Sequence, residues 1–261
     1  MTMLPAKRRA RILQHLREET FATLGDLSER LDMSVSTIRR DVEYLDANGH
    51  LVRTRGGAML APGALDAREM EADISAELEA PAKRAIGRAA AALIPAGATV
   101  IFDSGSTTAA AARAAAETGR DFSAVTNDLA IAGLLSAAGR EAEVTGGRVR
   151  PGSSTLLGAG TAAAFGALRA DLAFVGAHAV AAEGMSDTTS ELAHVKTAIL
   201  GAARRVVLLA DASKFDMRSF RLFGRLEQAE TVISDARLPL ETRGWVEAAG
   251  PKLILVEPST T

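Results

Sequence analysis

Two groups of residues in this 261-residue chain combine types and spacings suited to binding chemistry. The first is Ser34, Ser36, Thr37, Arg39, Arg40 and Tyr44, followed by Arg53 and Arg55 beside Gly56-Gly57. Arginine can bond guanine bidentately, serine and threonine serve several bases, and a basic hairpin grips backbone phosphate. The second is Asp103-Ser104-Gly105-Ser106-Thr107-Thr108. Glycine lets the backbone approach an anion, hydroxyls add donors, and a helix N-terminus supplies free N–H groups and a favourable dipole. This is a phosphate cradle without the lysine of a Walker loop. Thr126-Asn127-Asp128, Thr145-Gly146-Gly147 and Asp211, Ser213 and Lys214 repeat the pattern. Together these loops suit a small polyhydroxylated anion.

The elements that must position these residues show in the apolar periodicity. Leu24, Leu27 and Leu31 mark one short helix, begun by Thr23 with Asp26 three residues on, as in a capping box. Asp32 and Met33 make a turn, and Ser34 is the expected N-cap of a second helix. Val35, Ile38, Val42 and Leu45 share that helix's inner face, while Ser36, Arg40 and Glu43 point away from it, flanked by Arg39 and Tyr44. Asn48-Gly49 ends it, and Gly56-Gly57 is the expected hairpin tip. From Lys83 onward, short apolar runs alternate with helical segments: strands at 98–102, 122–126, 142–145, 172–175, 206–210, 231–234 and 253–256. Such alternation predicts an α/β domain with a mainly parallel sheet covered on both sides, its ligands beyond the C-terminal strand ends.

Composition excludes several classes. With no cysteine there is no disulfide, thiol catalysis or cysteine-rich zinc site, and no metal or cofactor is expected. No apolar run reaches the ~18 residues of a membrane span, and the basic start MTMLPAKRRARIL lacks the apolar stretch of a secretory signal, so a cytoplasmic protein is expected. Residues 1–60 hold 10 Lys+Arg against 8 Asp+Glu. So small an excess gives weak non-specific DNA affinity and calls for several headpieces per operator, hence a homo-oligomer, dimer or tetramer. Residues 1–61 read as a winged helix-turn-helix, 62–80 as an acidic connector, either linker or solvated helix, and 81–261 as a ligand-sensing domain.

The segment Arg8 to Leu60 resembles the DNA-binding domain of the DeoR family of bacterial transcriptional regulators, through the run STIRRDVEYLDANGHLVRTRGGA. The segments FDSGSTT, VTND, VTGGRVRPGSST, DLAFVGA, EGMSDTTSELAHVKTAIL and RRVVLLADASKFD resemble that family's sensor domain, which is similar to ribose-5-phosphate isomerase and the glucosamine-6-phosphate deaminase group. The resemblance implies a double-stranded DNA operator, a phosphorylated sugar effector, and a repressor of a carbohydrate-utilisation operon relieved by that effector. It places Ser36, Thr37, Arg39 and Arg40 at DNA with Arg55 on the wing, and Gly105, Ser106, Thr107 and Thr108 at the phosphate. Asp103, Asn127, Gly147, Lys196 and Lys214 would complete the pocket, although Lys196 on its own reads as a solvated or snorkelling side chain.

Three positions depart from the family's pattern. Arg55 replaces a frequent histidine and Ser106 a usual threonine, both conservative changes. His178, in Gly176-Ala177-His178-Ala179, stands where the family reads aspartate. That change removes a sugar-hydroxyl acceptor and admits a different or more anionic effector at the pocket. The alternative is a sugar-phosphate isomerase or deaminase carrying a DNA-binding domain. It requires a general base beside the sugar carbons, and the loop GAHAVAAEG lacks the partner carboxylates, so the chain reads as a regulator rather than an enzyme.

Overall fold

The computed structural model describes residues 3–60 and 70–258, which fall into two units, Met1–Leu78 and Glu79–Thr261. Residue 61 and residues 62–69 of the acidic connector lie outside the described residues.

In the first unit, α1 (Pro5–Glu19) begins with proline, whose missing N–H costs nothing at that position. It buries Ile12, Leu13 and Leu16. Strand β1 (Phe21–Thr23) leads into α2 (Leu24–Leu31) through a complete capping box. The Thr23 hydroxyl accepts from the Asp26 N–H, and the Asp26 carboxylate accepts from the Thr23 N–H, each at 3.1 Å. Ser34 then caps α3 (Val35–Ala47) by accepting the Thr37 N–H at 3.3 Å. Ile38, Val42 and Leu45 are buried as their period requires, but Val35 is 42% exposed because the helix reaches the core only after its first turn.

The wing pairs β2 (Leu51–Thr54) with β3 (Gly57–Leu60), and β3 also pairs with β1. Its two-residue tip is Arg55-Gly56, not Gly56-Gly57, since Gly57 already pairs with Thr54. The connector's end is likewise not open linker. It forms α4 (Ala72–Glu77), and Ile74 and Leu78, four residues apart, enter the core that holds Ile12, Leu27 and Ile38. Burying side chains of that size is worth ~1.5–3 kcal/mol each, enough to hold a helix of one and a half turns in place.

The second unit is a seven-stranded parallel sheet in the order β15-β14-β12-β9-β4-β5-β6. Its strands are β4 (Ala98–Phe102), β5 (Phe122–Thr126), β6 (Ala142–Val144), β9 (Ala170–Gly176), β12 (Ala203–Leu209), β14 (Thr231–Asp235) and β15 (Lys252–Val256). Alternation along each strand feeds two cores. Ile101, Ala173, Val175 and Leu208 belong to one, and Val100, Phe102, Leu172, Phe174 and Val207 to the other. The helices are α5 (Ala80–Ala92), α6 (Ser106–Glu117), α7 (Leu129–Ala137), α8 (Ala159–Gly166), α9 (Ser190–Ala202) and α10 (Leu240–Ala248).

Strand order runs outward in both directions from the neighbours β4 and β9, so their C-terminal ends flank the topological switch point. Two antiparallel additions were not anticipated: the pair β7 (Arg148–Val149) and β8 (Leu156–Leu157), and a small sheet of β10 (Ala179–Ala181), β11 (Gly184–Asp187) and β13 (Arg221–Gly224). These strands are two to four residues long, too short to show a period of their own. No described helix is long and apolar enough to cross a membrane.

Candidate functional sites

On α3, Ser34, Ser36, Arg39 and Arg40 are exposed and Thr37 is half-buried. The Ser34 hydroxyl lies 2.9 Å from that of Thr37 and 3.0 Å from that of Ser36, so capping and display of hydroxyls share one turn. Among the described residues, neither Arg39 nor Arg40 enters an ion pair. Arg55 stands exposed at the wing tip, while Arg53 lies 3.5 Å from Glu43 in a solvent-exposed pair.

Tyr44 departs from this exposed set. Its hydroxyl donates to Glu71 and its ring lies 3.4 Å beneath the Arg9 guanidinium. The hydrogen bond to Glu71, with burial second, raises its pKa above that of an ordinary tyrosine. Its polar atom and one ring face are therefore committed to the connector and α1. Beneath it, Asp41 is 2% exposed and accepts from both Arg8 and Arg9, tying α1 to α3.

In the second unit, Asp103 follows β4 at the switch point and is fully buried. Its Oδ2 accepts from the Lys196 ammonium and, at 3.1 Å, from the Gly176 N–H at the end of β9. Lys196 is buried on α9, not solvated. It also donates to the Gly176 carbonyl at 2.9 Å and lies 3.6 Å from Asp187, a residue the sequence reading did not select. Burial alone would lower the lysine's pKa, but the Asp103 and Asp187 charges outweigh it and raise the pKa. Burial pushes the Asp103 pKa up, against the pull of Lys196.

Two oxygens in this region are buried with no partner among the described residues: Asp103 Oδ1 and Asn127 Oδ1. Asn127 follows β5 and uses its amide nitrogen to donate to the Leu156 carbonyl at 3.3 Å. Gly105 precedes α6 at φ 136°, a conformation other residues avoid, and no side chain caps that helix. The N–H groups of the helix's first turn consequently have no intrahelical partner.

Asp128, named in sequence as part of the loop after β5 but not as a pocket residue, caps α7 and holds the Gly105 N–H. Burial raises its pKa. Thr107 is buried, Ser106 is half-buried, and the Thr108 hydroxyl donates inward to the Gly105 carbonyl at 2.8 Å. Gly147 has a packing reason of its own, because a Cβ there would lie 2.2 Å from the Thr161 hydroxyl. His178 and Lys214 are half-buried on the segments flanking β10. The His178 N–H donates to the Ser186 carbonyl, and Phe215, next to Lys214, bridges to Val180. Among the described residues no cluster of His, Cys, Asp or Glu could hold a metal ion.

A DeoR-like helix-turn-helix domain matches residues 8–62, and the DeoR C-terminal sensor domain matches residues 78–236. The HTH-type transcriptional regulator GlpR of Haloferax volcanii is 32% identical, covering 97% of this chain and 98% of that protein. The HTH-type transcriptional repressor GlcR of Bacillus subtilis is 29% identical over 91% of this chain and 90% of its own length. Among solved structures, translation initiation factor eIF-2B of Pyrococcus horikoshii covers 87% of each chain at 20% identity and a TM-score of 0.47. Ribose 5-phosphate isomerase A of Neisseria gonorrhoeae covers 55% of each at 18% identity and a TM-score of 0.40. With both domain models matched in order and a relative aligned end to end, the chain is a DNA-binding transcriptional regulator of the DeoR family.

Proposed function

We propose that this regulator represses a carbohydrate-utilisation operon and leaves its operator when a phosphorylated sugar binds at the ends of β4 and β5. The observation that carries the effector reading is the unpartnered buried oxygen of Asp103, which lies at the switch point beside the uncapped start of α6. Ser106, Thr107 and the first-turn N–H groups of α6 hold the phosphate, and the sugar lies over Asp103 and Asn127. Ser36, Thr37, Arg39 and Arg40 meet base edges, with Arg53 and Arg55 on phosphate. The active form is a homo-oligomer in the cytoplasm, and the chain turns over no substrate. Its switch is differential binding: the effector favours the arrangement that does not fit the operator.

The test is fluorescence anisotropy on DNA from upstream of the protein's own gene, titrated with sugar phosphates. One compound should release tightly bound DNA. Thr107→Val should leave DNA binding intact and raise the half-release concentration at least tenfold. Operator binding indifferent to every compound would sink the effector reading.

A further inference from the structure

The small antiparallel sheet ends in an open edge. Its order is β10-β11-β13, and among the described residues no strand pairs with the outer side of β13. Ser186 of β11 is in register with Leu222 of β13, yet its carbonyl accepts on the opposite side, from the His178 N–H. Ser186 and Leu222 are thus a non-hydrogen-bonded pair, in which the Leu222 N–H and C=O point outward, away from β11. Leu222 is 52% exposed, and Phe220, two residues before it, is 73% exposed. Native proteins usually blunt such an edge with charge or cover it. Here Arg221 is flanked by two large apolar side chains that nothing among the described residues covers.

Beside the edge runs a groove of about 520 Å³, lined by Ala181, Gly184 and Ser186 and carrying the exposed ion pair Arg218–Glu183. The charges along the edge are mixed: Arg218 and Arg221 precede Leu222 and Glu227 follows it, all exposed. A strongly acidic or strongly basic partner would meet its own sign at one end. A second copy run antiparallel would not, because the Arg218 end of each edge meets the Glu227 end of the other. An axis at Arg221 would set that arginine against itself, which like-charge repulsion disfavours, so the axis falls at Leu222. Four residues of strand are too few for a stable contact, which needs ~800 Å² per partner, and the adjoining groove supplies the remainder. Such an isologous contact uses the edge of both copies and closes as a pair.

Building on the homo-oligomer reading above, we infer that β13 is the edge through which two copies of this chain associate. The two β13 strands pair antiparallel about an axis at Leu222, exchange the Leu222 backbone hydrogen bonds, and cover Phe220 and the groove. The edge also borders the buried lysine, since Arg221 is in register with Asp187, which lies 3.6 Å from Lys196. Pairing therefore braces the small sheet that brings Asp187 to Lys196.

The chain has no cysteine, so one introduced at Leu222 is the single thiol of each copy. On the axis its Cα lies ~5.5 Å from its counterpart, inside the ~4.4–6.8 Å span of a disulfide. Full-length Leu222→Cys should therefore crosslink to a dimer under mild oxidation. Val149→Cys on β7, where the native residue is similarly exposed at 48%, should not. Leu222→Glu, compared with the unaltered protein by sedimentation velocity, should weaken association at least ~30-fold, with circular dichroism checking its fold. The crosslink decides the matter even where that variant fails to fold. A Leu222→Cys crosslink no faster than that of Val149→Cys, or unchanged association of a folded Leu222→Glu, would overturn the edge while keeping the homo-oligomer. An unaltered protein that sediments as a monomer would overturn both and leave the edge to a strand from another protein.

Discussion

Asp41 in the first unit and Asp103 in the second are buried carboxylates, 2% and 0% exposed, and each has a cationic partner. They differ in how completely they are paired. Both oxygens of Asp41 are occupied, one by Arg8 Nε and the other by Arg8 Nη2 at 3.2 Å and Arg9 Nε at 3.1 Å. Asp103 has every donor on one oxygen and none on the other. Burial and charge pairing thus do not separate a structural carboxylate from a binding one. On the effector reading the open lone pair does, since an unmet buried acceptor costs free energy that a bound donor would return.

That distinction is open to direct attack. Asp41→Ala leaves two partly buried guanidinium groups without their counter-charge and should cost the first unit ~3–5 kcal/mol, read by urea denaturation followed through far-UV circular dichroism. Asp103→Asn leaves Lys196 with Asp187 and the Gly176 carbonyl, so its cost should be less than half as large. The fluorescence of Trp245, the single tryptophan and part of the second unit, reports it separately. Equal losses from the two changes would erase the contrast.

The arginines of the first unit divide along the same line. Arg9 is bonded to Asp41 and rests on Tyr44, whereas Arg40 is exposed on α3. Arg40→Ala should cost ~1–3 kcal/mol of discrimination between operator and scrambled DNA at fixed salt. Unchanged discrimination would remove Arg40 from the base-reading set.

Tyr44 tests the other side of the division. Because its hydroxyl serves Glu71, Tyr44→Phe should lower first-unit stability by ~1 kcal/mol and leave base discrimination alone. The opposite pattern, specificity lost at constant stability, would return Tyr44 to the DNA face.

Much of this was legible because it is local. The capping box at Thr23, the Ser34 cap and every parallel strand announce themselves through residue type and period. Lys196 was read from its type as solvated, yet its position carried a signal of burial. It shares a helical face with Leu192, Ala193, Ile199 and Leu200, all buried, and a lone charge inside an apolar stripe signals a paired group. Asp187 left no such trace, since it reaches Lys196 only through a small antiparallel sheet whose strands are too short to reveal themselves. The Tyr44 contact was hidden for a related reason. Helical period places a side chain on a face but does not say which distant residue covers that face, here Glu71.

The smallest effect concerns a local carboxylate with no buried partner, Asp26 in the capping box of α2. Its pKa is lowered, first by the hydrogen bond with the Thr23 side chain and then by the one with the Thr23 backbone. A carboxylate whose pKa is depressed on folding favours the folded state above its unfolded value, ~3.9 for aspartate. That contribution is lost as pH falls through the folded value, so it is complete at neutral pH and fades only below about pH 4. Carbon-detected titration of Asp26 should give a midpoint below the ordinary aspartate range, and Thr23→Val should move it back. Because Asp26 is exposed and open to screening by salt, this shift should be the most salt-sensitive of the effects on stability. A midpoint at or above the ordinary range would mean that the first turn of α2 is held by its apolar face alone, and the contrast between buried and exposed carboxylates would lose its exposed member.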